Sequence, residues 1–407
     1  MNCRFCAAPL EHVFLDLGSA PPSNAFLDAA ALEAPERWFP LKLHTCTRCW
    51  LVQVDEVQSH ADLFAPDYVY FSSYSRSWLE HARRYVDEAA ARLQLDARSL
   101  VLEIASNDGY LLQYVAARGI PCVGVEPTHG TAEAARARGI ETIETFFGRD
   151  FAAGFVAQRR GADLIVANNV LAHVPDLNDF VAGLAAALAP GGTVTLEFPH
   201  LVQLVAQRQF DTVYHEHFSY FSLYTVERVF AAHGLRIWDV QHLPTHGGSL
   251  RIWASLQAGA PAQRPAVADL RAAEAALGIA QLDFYRGFQQ QADAVKHGLL
   301  EFLLQQRRAG LRVAAYGAAA KGNTLLNYAG VRADLLPYVV DASPHKQGRF
   351  LPGSRIPVVG EARLRAEQPD CILILPWNLR EEITAQLAYA RDWGARFATA
   401  VPEMTFS

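Results

Sequence analysis

The chain has 407 residues, of which 51% are hydrophobic and 19% charged, with a formal net charge of −6. Such a length implies about two to four domains, and such a composition excludes an intrinsically disordered chain. The acidic balance excludes general nucleic-acid binding, which needs a basic surface, although a local basic patch suffices for a single nucleotide.

The opening MNCRFCAAPL has no basic stretch leading into an apolar run, so no signal peptide is expected. No window reaches the roughly 18 apolar residues of a membrane span. Six cysteines in this length do not make a disulfide framework. The expectation is a cytoplasmic monomer that binds neither membrane nor nucleic acid.

Cys3 and Cys6 form one C-x2-C pair, and Cys46 with Cys49 form a second. Two tight turns, each presenting two thiolates, complete a closed tetrahedral site, so zinc is the expected ion and residues 1–65 its module. A redox reading of the pairs is disfavoured because neither opens a helix after a strand. Cys122 and Cys371 sit in apolar strands and read as core. Residues 61–78, dense in Tyr, Phe and Ser, read as a loop or short lid.

From about 79 to 256 the strand-like runs VLEIAS, CVGVEP, ETIET, DLIVANN and TVTLEF alternate with alanine-rich helical patterns. Repeated βαβ units predict a parallel sheet covered on both faces. VLEIASNDGYLL (101–112) is a strand, a short polar turn and a helix start, with Glu103 ending the strand and Glu126 ending the next one. This layout resembles class I methyltransferases, in which the turn wraps the methionine part of the cofactor and the second acid accepts from the ribose hydroxyls. A nicotinamide site needs three glycines against a pyrophosphate; here Ala105, Asn107 and Asp108 leave only Gly109. An ordinary strand–turn–helix corner remains the alternative. Asn168, Asn169 and His173 follow a strand and are candidates to face cofactor and substrate at the strands' carboxyl ends.

FDTVYHEHFSYFSLYTV (210–226) gathers Tyr214, His215, Glu216 and His217 among apolar residues, a setting for acid–base chemistry. Two alternatives stay open: a metal site, with His215 and His217 on one face of a strand, and ordinary hydrogen-bonded polar residues. HGGSLRIW (246–253) reads as a structural turn and a strand carrying Arg251.

A Pro-rich linker (258–269) and a long helical stretch (about 267–309) precede a second α/β segment with four strand candidates, LRVAAYG, LPYVVDAS, CILILPW and RFATAV. Gly317, Ala319 and Gly322 form a near miss to a dinucleotide fingerprint. Lys321 beside that turn, Asp341, Ser343 and Lys346 at the next strand end, and Trp377 with Asn378 suit a nucleoside diphosphate. A purely structural α/β unit is the alternative.

Together with YVYFSSYS (68–75), NNVLAHVPDL (168–177), HGGSLR (246–251) and YGAAAKGNTLLN (316–327), these segments resemble, nearly end to end, the zinc-containing sugar C-methyltransferases of deoxysugar biosynthesis. The resemblance implies an α/β chain of four parts. A zinc module spans 1–65, a class I S-adenosylmethionine-binding domain 66–257, a linker and helical segment 258–309, and a Rossmann-like nucleotide-sugar domain 310–407. It implies cofactor contacts from Glu103, Ala105, Asn107, Asp108, Gly109, Tyr110, Glu126, Pro127, Asn168 and Asn169. His217 is then the base, Tyr214 and Glu216 stand beside it, and Tyr68, Asn169 and His173 line the sugar pocket. The implied reaction is C-methylation at carbon 3 of a nucleotide-linked 4-keto-6-deoxy sugar. Its rivals are an O-methyltransferase, a nicotinamide-dependent oxidoreductase using the Gly317 turn, and a non-catalytic nucleotide-binding protein.

Overall fold

A computed structural model of the chain describes residues 1–57 and 71–407. Strands β1 (His12–Ala20) and β2 (Phe39–Thr45) pair antiparallel, and β3 (Val52–Val54) adds to β2. Along β2, Leu41, Leu43 and Thr45 are buried while Pro40, Lys42 and His44 face outward, the period of two of a half-buried sheet.

β4 (Val101–Ile104), β5 (Cys122–Val125), β6 (Thr142–Ile143), β7 (Ala162–Asn168) and β8 (Leu188–Pro199) form a parallel sheet in the order β6-β5-β4-β7-β8. Helices cover both faces, which is why β4 is buried at every residue, Glu103 included. The chain passes from β4 to β5 on one side and later to β7 on the other. That reversal opens a crevice at the carboxyl ends of β4 and β7.

After β8 the chain leaves this sheet, and the short β9 (Ser219–Tyr220) pairs with β3, adding a fourth strand to the N-terminal sheet. β10 (Leu235–Leu243) and β11 (Ser249–Leu256) return to complete the central sheet, with β11 antiparallel between β8 and β10. The seven-stranded sheet is therefore mixed, where the βαβ pattern predicts a parallel one. Only five residues connect β10 to β11, and a parallel connection needs about a dozen.

The helical stretch predicted at 267–309 is three helices, Pro265–Ala276, Leu282–Tyr285 and Phe288–Arg308, interrupted around Gly278 and Gly287. Both glycines take positive φ (76° and 83°), so each ends a turn that a side chain would strain. The third sheet runs β14 (Val358–Val359), β13 (Val339–Val340), β12 (Val313–Tyr316), β15 (Cys371–Ile374), β16 (Arg396–Thr399), β17 (Thr405–Phe406), parallel except at β17. It contains the four predicted strands; β14 and β17 have two residues each, too few for a hydrophobic period to register.

One apolar cluster joins the sheets. Leu15 and Leu41 of the N-terminal sheet, Phe210 and Phe218 of the intervening segment, and Leu325 and Val339 of the C-terminal unit share it. Among the described residues no helix is long and apolar enough to cross a membrane.

A second junction is polar. Glu274, 1% exposed, accepts from His200 Nε2 (2.8 Å) and from the amides of Leu223 (2.7 Å) and Tyr224 (2.8 Å), which open the helix Leu223–Ala232. Leaving a buried hydrogen-bonding group without its partner costs about 1–3 kcal/mol. Glu274→Ala is therefore expected to lower the thermal unfolding midpoint by several degrees, and Glu274→Gln, which keeps an acceptor, by less. Circular dichroism checks both.

Candidate active site and metal centre

The two cysteine pairs lie on turns of the same construction. Ala7 N–H donates to Cys3 O (2.9 Å) and Trp50 N–H to Cys46 O (2.8 Å), with Ala7 and Trp50 both in the left-handed region (φ 57° and 64°). The four Sγ atoms lie within 4.8 Å of one another, and the Cys3–Cys49 and Cys6–Cys46 pairs are each 3.5 Å apart. A tetrahedral zinc site with Zn–S of about 2.3 Å requires S···S of about 3.8 Å, so the four thiols fit that ion. Hydrogen bonding to Cys49 holds the Cys3 thiol down at about 4, while the same contact and burial push Cys49 up. Gln53 Nε2 donates to Cys3 Sγ (3.2 Å), a contact of the kind that orients a metal ligand.

At the carboxyl end of β4, Ala105, Asn107 and Gly109 all take positive φ (52°, 50° and 75°). Two of the three carry side chains, so the turn is strained, as ligand-binding loops commonly are. Glu126 secures it. One carboxylate oxygen accepts from Asn107 N–H (2.9 Å), and the other from Thr128 N–H (2.9 Å) and the Thr128 hydroxyl. A carboxylate has about four acceptor positions, which leaves capacity for ribose hydroxyls. Pro127 follows at the same strand end. Ser72 N–H donates to Asn107 Oδ1 (2.8 Å), the Ser73 hydroxyl binds Asp108, and Arg138 pairs with Asp108 Oδ2 (3.1 Å).

Burial pushes the Glu103 carboxyl well above its usual range, against the hydrogen bond from Tyr110 and with the charges of Glu126 and Asp108. Glu103 Oε2, Asp108 Oδ1 and Asn168 Oδ1 are buried acceptors with no hydrogen-bond partner. Enclosed acceptors at the ends of β4 and β7 suit a ligand rich in donors, such as an amino acid ammonium and a ribose. The pocket thus fits S-adenosylmethionine. Asn169 is also left-handed (φ 56°), and its amide donates to Glu197 O (2.8 Å).

The Tyr214–His217 stretch is a turn, with His217 N–H donating to Tyr214 O (2.9 Å); it is not the strand considered from sequence. His215 and His217 consequently do not share a strand face. His215 turns to Pro40 O (3.2 Å) and the edge of Phe39, which removes the metal alternative for this pair. His217 Nδ1 donates to Thr212 O (2.9 Å), and its Nε2 receives the Tyr214 hydroxyl (2.7 Å). A carbonyl only accepts, so the proton sits on Nδ1 and Nε2 presents its lone pair. The His173 ring stands 4.6 Å away at 73°. Burial, followed by the fields of His173, His246 and Lys321, holds the His217 pKa well below 6.5, against the bond to Thr212.

Glu216 lies beside His217 in sequence but is engaged elsewhere. Both of its oxygens accept from Asn24 Nδ2 (2.8 and 3.0 Å), and burial pushes its carboxyl up to about 7. The Thr212 carbonyl, not Glu216, orients the imidazole.

Residues of the C-terminal unit divide into two groups. Asp341 accepts from the amides of Ala318 and Ser343 (both 2.8 Å), and Lys346 Nζ reaches Ala318 O (2.9 Å), so Asp341, Ser343 and Lys346 frame the Gly317 turn. Gly322 has Leu375 where a Cβ would come within 2.8 Å, so close helix packing accounts for that glycine. Lys321 instead donates to Asn378 Oδ1 (3.0 Å) over the face of Trp377 (4.9 Å), and the Trp377 indole donates to Asp211 Oδ2 (2.8 Å). Asp211 is fully buried and pushed up to about 6 by burial, against the Lys321 charge. This second group adjoins His217, whose pKa registers Lys321.

Tyr68 lies outside the described residues. Sequence reasoning passes over Asn24, Asp211, Thr212 and His246, and over the buried cluster in which Glu197 accepts from Arg251 Nε (2.8 Å) and pairs with His81 (2.8 Å). HGGSLR holds two of these residues, but a glycine turn is sufficient to account for that string. Thr212 acts through its carbonyl, for which sequence carries no signal.

Three family models match the chain: a zinc binding domain over 3–64, a methyltransferase domain over 78–240 and a C-methyltransferase C-terminal domain over 244–402. The C-methyltransferase NovU of Streptomyces niveus is 35% identical over 402 residues, covering 99% of this chain and 96% of that protein. Among solved structures, the CcbJ methyltransferase of Streptomyces caelestis aligns with 43% of this chain and 89% of its own at 13% identity and a TM-score of 0.34. Magnesium protoporphyrin IX methyltransferase from Synechocystis aligns with 48% and 88% at 16% identity and a TM-score of 0.33.

Two outcomes are expected. Protein purified without chelator contains about one zinc per chain by elemental analysis, and Cys46→Ser loses it and exposes the N-terminal module to proteolysis. Intact fold without metal contradicts this. In the pH profile of kcat/KM, a base role for His217 predicts an acid limb well below 6.5, because its depressed pKa keeps the imidazole neutral as pH falls through 6.5. A limb near 7 that vanishes in Glu216→Gln assigns that limb to Glu216 instead.

Proposed function

The chain belongs to the C-methyltransferases that join a zinc binding domain to a methyltransferase domain, and from that membership we propose that it methylates carbon 3 of a nucleotide-linked 4-keto-6-deoxy sugar. S-adenosylmethionine is the methyl donor, and zinc held by Cys3, Cys6, Cys46 and Cys49 closes the N-terminal module without an open coordination position.

The observation that carries the reading is the tautomer of His217: a neutral imidazole with its lone pair on Nε2, enclosed and fixed from behind by Thr212. A carbon bonded only to carbon, hydrogen and a hydroxyl oxygen is no nucleophile; an adjacent carbonyl acidifies its proton. Methylation at carbon therefore asks for a base where methylation at an already basic amine does not. His217 Nε2 takes the carbon 3 proton once Tyr214 releases its bond to that nitrogen. The freed Tyr214 hydroxyl then lies within reach of the developing enolate and assists its formation. When bound, S-adenosylmethionine supplies the electrophilic methyl that the enolate carbon takes. Apolar walls, among them Val213 and Phe218, are fully buried and exclude water that would protonate the enolate.

Asp341, Ser343 and Lys346 at the Gly317 turn support binding of the nucleoside diphosphate there, with the sugar reaching toward Trp377 and His217. Asn169 and His173 border the sugar, and Tyr68 belongs to the same proposed pocket.

The test is mass-spectrometric detection of a product with a new carbon–carbon bond, using a panel of nucleotide 4-keto-6-deoxy sugars. In deuterium oxide with S-adenosylhomocysteine, wild-type protein is expected to exchange the carbon 3 proton. His217→Ala is expected to lose both exchange and methyl transfer by about 100- to 10,000-fold. A methyl group found on oxygen overturns the reaction class, and exchange at the wild-type rate in His217→Ala places the base elsewhere.

A further inference from the structure

His246 stands at the joint between the cofactor crevice, the His217 turn and the C-terminal unit. Its backbone is left-handed (φ 55°, ψ 20°), a conformation disfavoured for a residue with a side chain, and Gly247 and Gly248 continue at φ 86° and 115°. The turn is held from several sides. Gln209 Nε2 donates to Gly247 O (2.6 Å), the amide of Gly248 and the hydroxyl of Ser249 both donate to Thr245 O, and Trp377 occupies the space where a Gly247 side chain would project.

So secured, the ring of His246 meets the edge of Trp78 at 5.5 Å, and Trp78 stacks in turn on Tyr110 of the cofactor turn (6.0 Å). Its Nε2 is buried and has no hydrogen-bond partner. Of the donors that face it, Lys321 is bound to Asn378 and His81 to Glu197. An imidazole forced into a strained backbone with an idle ring nitrogen, next to the base, has the character of a functional group.

We propose that His246 is a further catalytic residue, donating a hydrogen bond from Nε2 to the keto oxygen of the substrate as it becomes an enolate oxygen. This rests on the C-methylation reading above. The carbon 3 proton passes to His217 Nε2, and the electron pair of that C–H bond moves onto the oxygen. The pair returns to form the carbon–carbon bond as the sulfur–methyl bond breaks, leaving a neutral thioether and a protonated His217. His246 transfers no proton.

The role requires a neutral imidazole, because a charged one would be a stronger acid than the oxygen it serves and would sit beside a second histidine that must accept a proton. Burial pushes His246 down to about 4, and the charged or titratable groups facing it are Lys321, Glu197, His81 and His173, of which Glu197 alone works the other way. A neutral histidine acting on a carbonyl this way is an established device for enolate chemistry.

The experiment compares His246→Leu with His246→Gln in the full-length zinc-loaded protein. Both replacements bear the same backbone strain, and only Gln keeps an N–H donor. Methyl transfer and carbon 3 exchange in deuterium oxide are measured for each. The expected result is a loss of kcat and of exchange rate of about 100-fold in His246→Leu, with KM for both substrates within about 3-fold, and recovery of at least about 10-fold in His246→Gln. Wild-type rates in His246→Leu overturn the proposal, as does a Gln variant no better than Leu, or a loss confined to KM. Wild-type protein that methylates oxygen, or no 4-keto sugar nucleotide at all, defeats the C-methylation reading itself. Wild-type C-methylation with an unaffected His246→Leu defeats only the role of His246.

Discussion

The hydrogen bond from His217 Nδ1 to the Thr212 carbonyl depends on a stretch of backbone that has almost no freedom to move. Phe210, Asp211 and Thr212 form a single buried turn, with the Thr212 hydroxyl returned to Gln209 O (2.7 Å). Val213 O receives Thr324 Oγ1 (2.7 Å) from the first helix of the C-terminal unit. Two residues past His217 the chain becomes β9 and is tied to β3 of the N-terminal sheet. The side chain of Asn323 meanwhile reaches Ser23 O (2.6 Å), next to the Asn24 that holds Glu216. The N-terminal sheet and the C-terminal unit therefore converge on ten residues. This convergence fixes the imidazole of His217 as precisely as the proposed proton transfer demands, since the segment itself lacks regular structure.

The same enclosure explains why the titratable groups here depart from their solution behaviour. Taking a charge out of water disfavours it, so carboxyls rise and imidazoles fall. Glu103, Asp211 and Glu216 move up, and His217 and His246 move down, with burial the leading cause for each. Glu197 behaves otherwise. Burial works against its charge too, yet His81 and Arg251 more than offset that and hold its carboxyl below the usual range. Glu197 is thus an ionised anchor fastening the helix Arg76–Leu93 to the end of the central sheet, while the carboxyls with fewer partners are poised nearer neutrality.

What the amino-acid string discloses follows from how each feature is made. VLEIAS and DLIVANN are legible as strands because helices bury both of their faces, and the cysteine pairs because metal ligation fixes residue type and spacing together. The local polar density of Tyr214, Glu216 and His217 marks that segment, but its conformation does not follow, since a turn and a strand carry the same composition. Glu216 shows the limit most clearly. Adjacency to His217 suggests a partner, whereas Asn24, 192 residues earlier, is what it binds. Long-range pairing of that kind leaves no local pattern, and neither does a carbonyl such as that of Thr212. Glycine strings are ambiguous for a related reason: Gly317 and Gly322 answer to the close approach of Pro376 and Leu375, so their spacing alone does not identify a phosphate-binding loop.

Trp377 ties the C-terminal unit to the turn that orients His217. Its indole N–H holds Asp211, one residue before the carbonyl that orients His217, and its ring fills the space that Gly247 leaves open beside His246. Lys321 packs on its face and lends a positive field to both histidines. A ligand that displaced Trp377 or Lys321 would disturb Asp211, and through it the turn carrying Thr212. Under the proposed function, substrate binding at the third sheet and chemistry beside the second are for this reason coupled. The contacts that dock the two units hold Asp211 beside the turn of Thr212, and Lys321 adds to the burial that keeps His217 neutral.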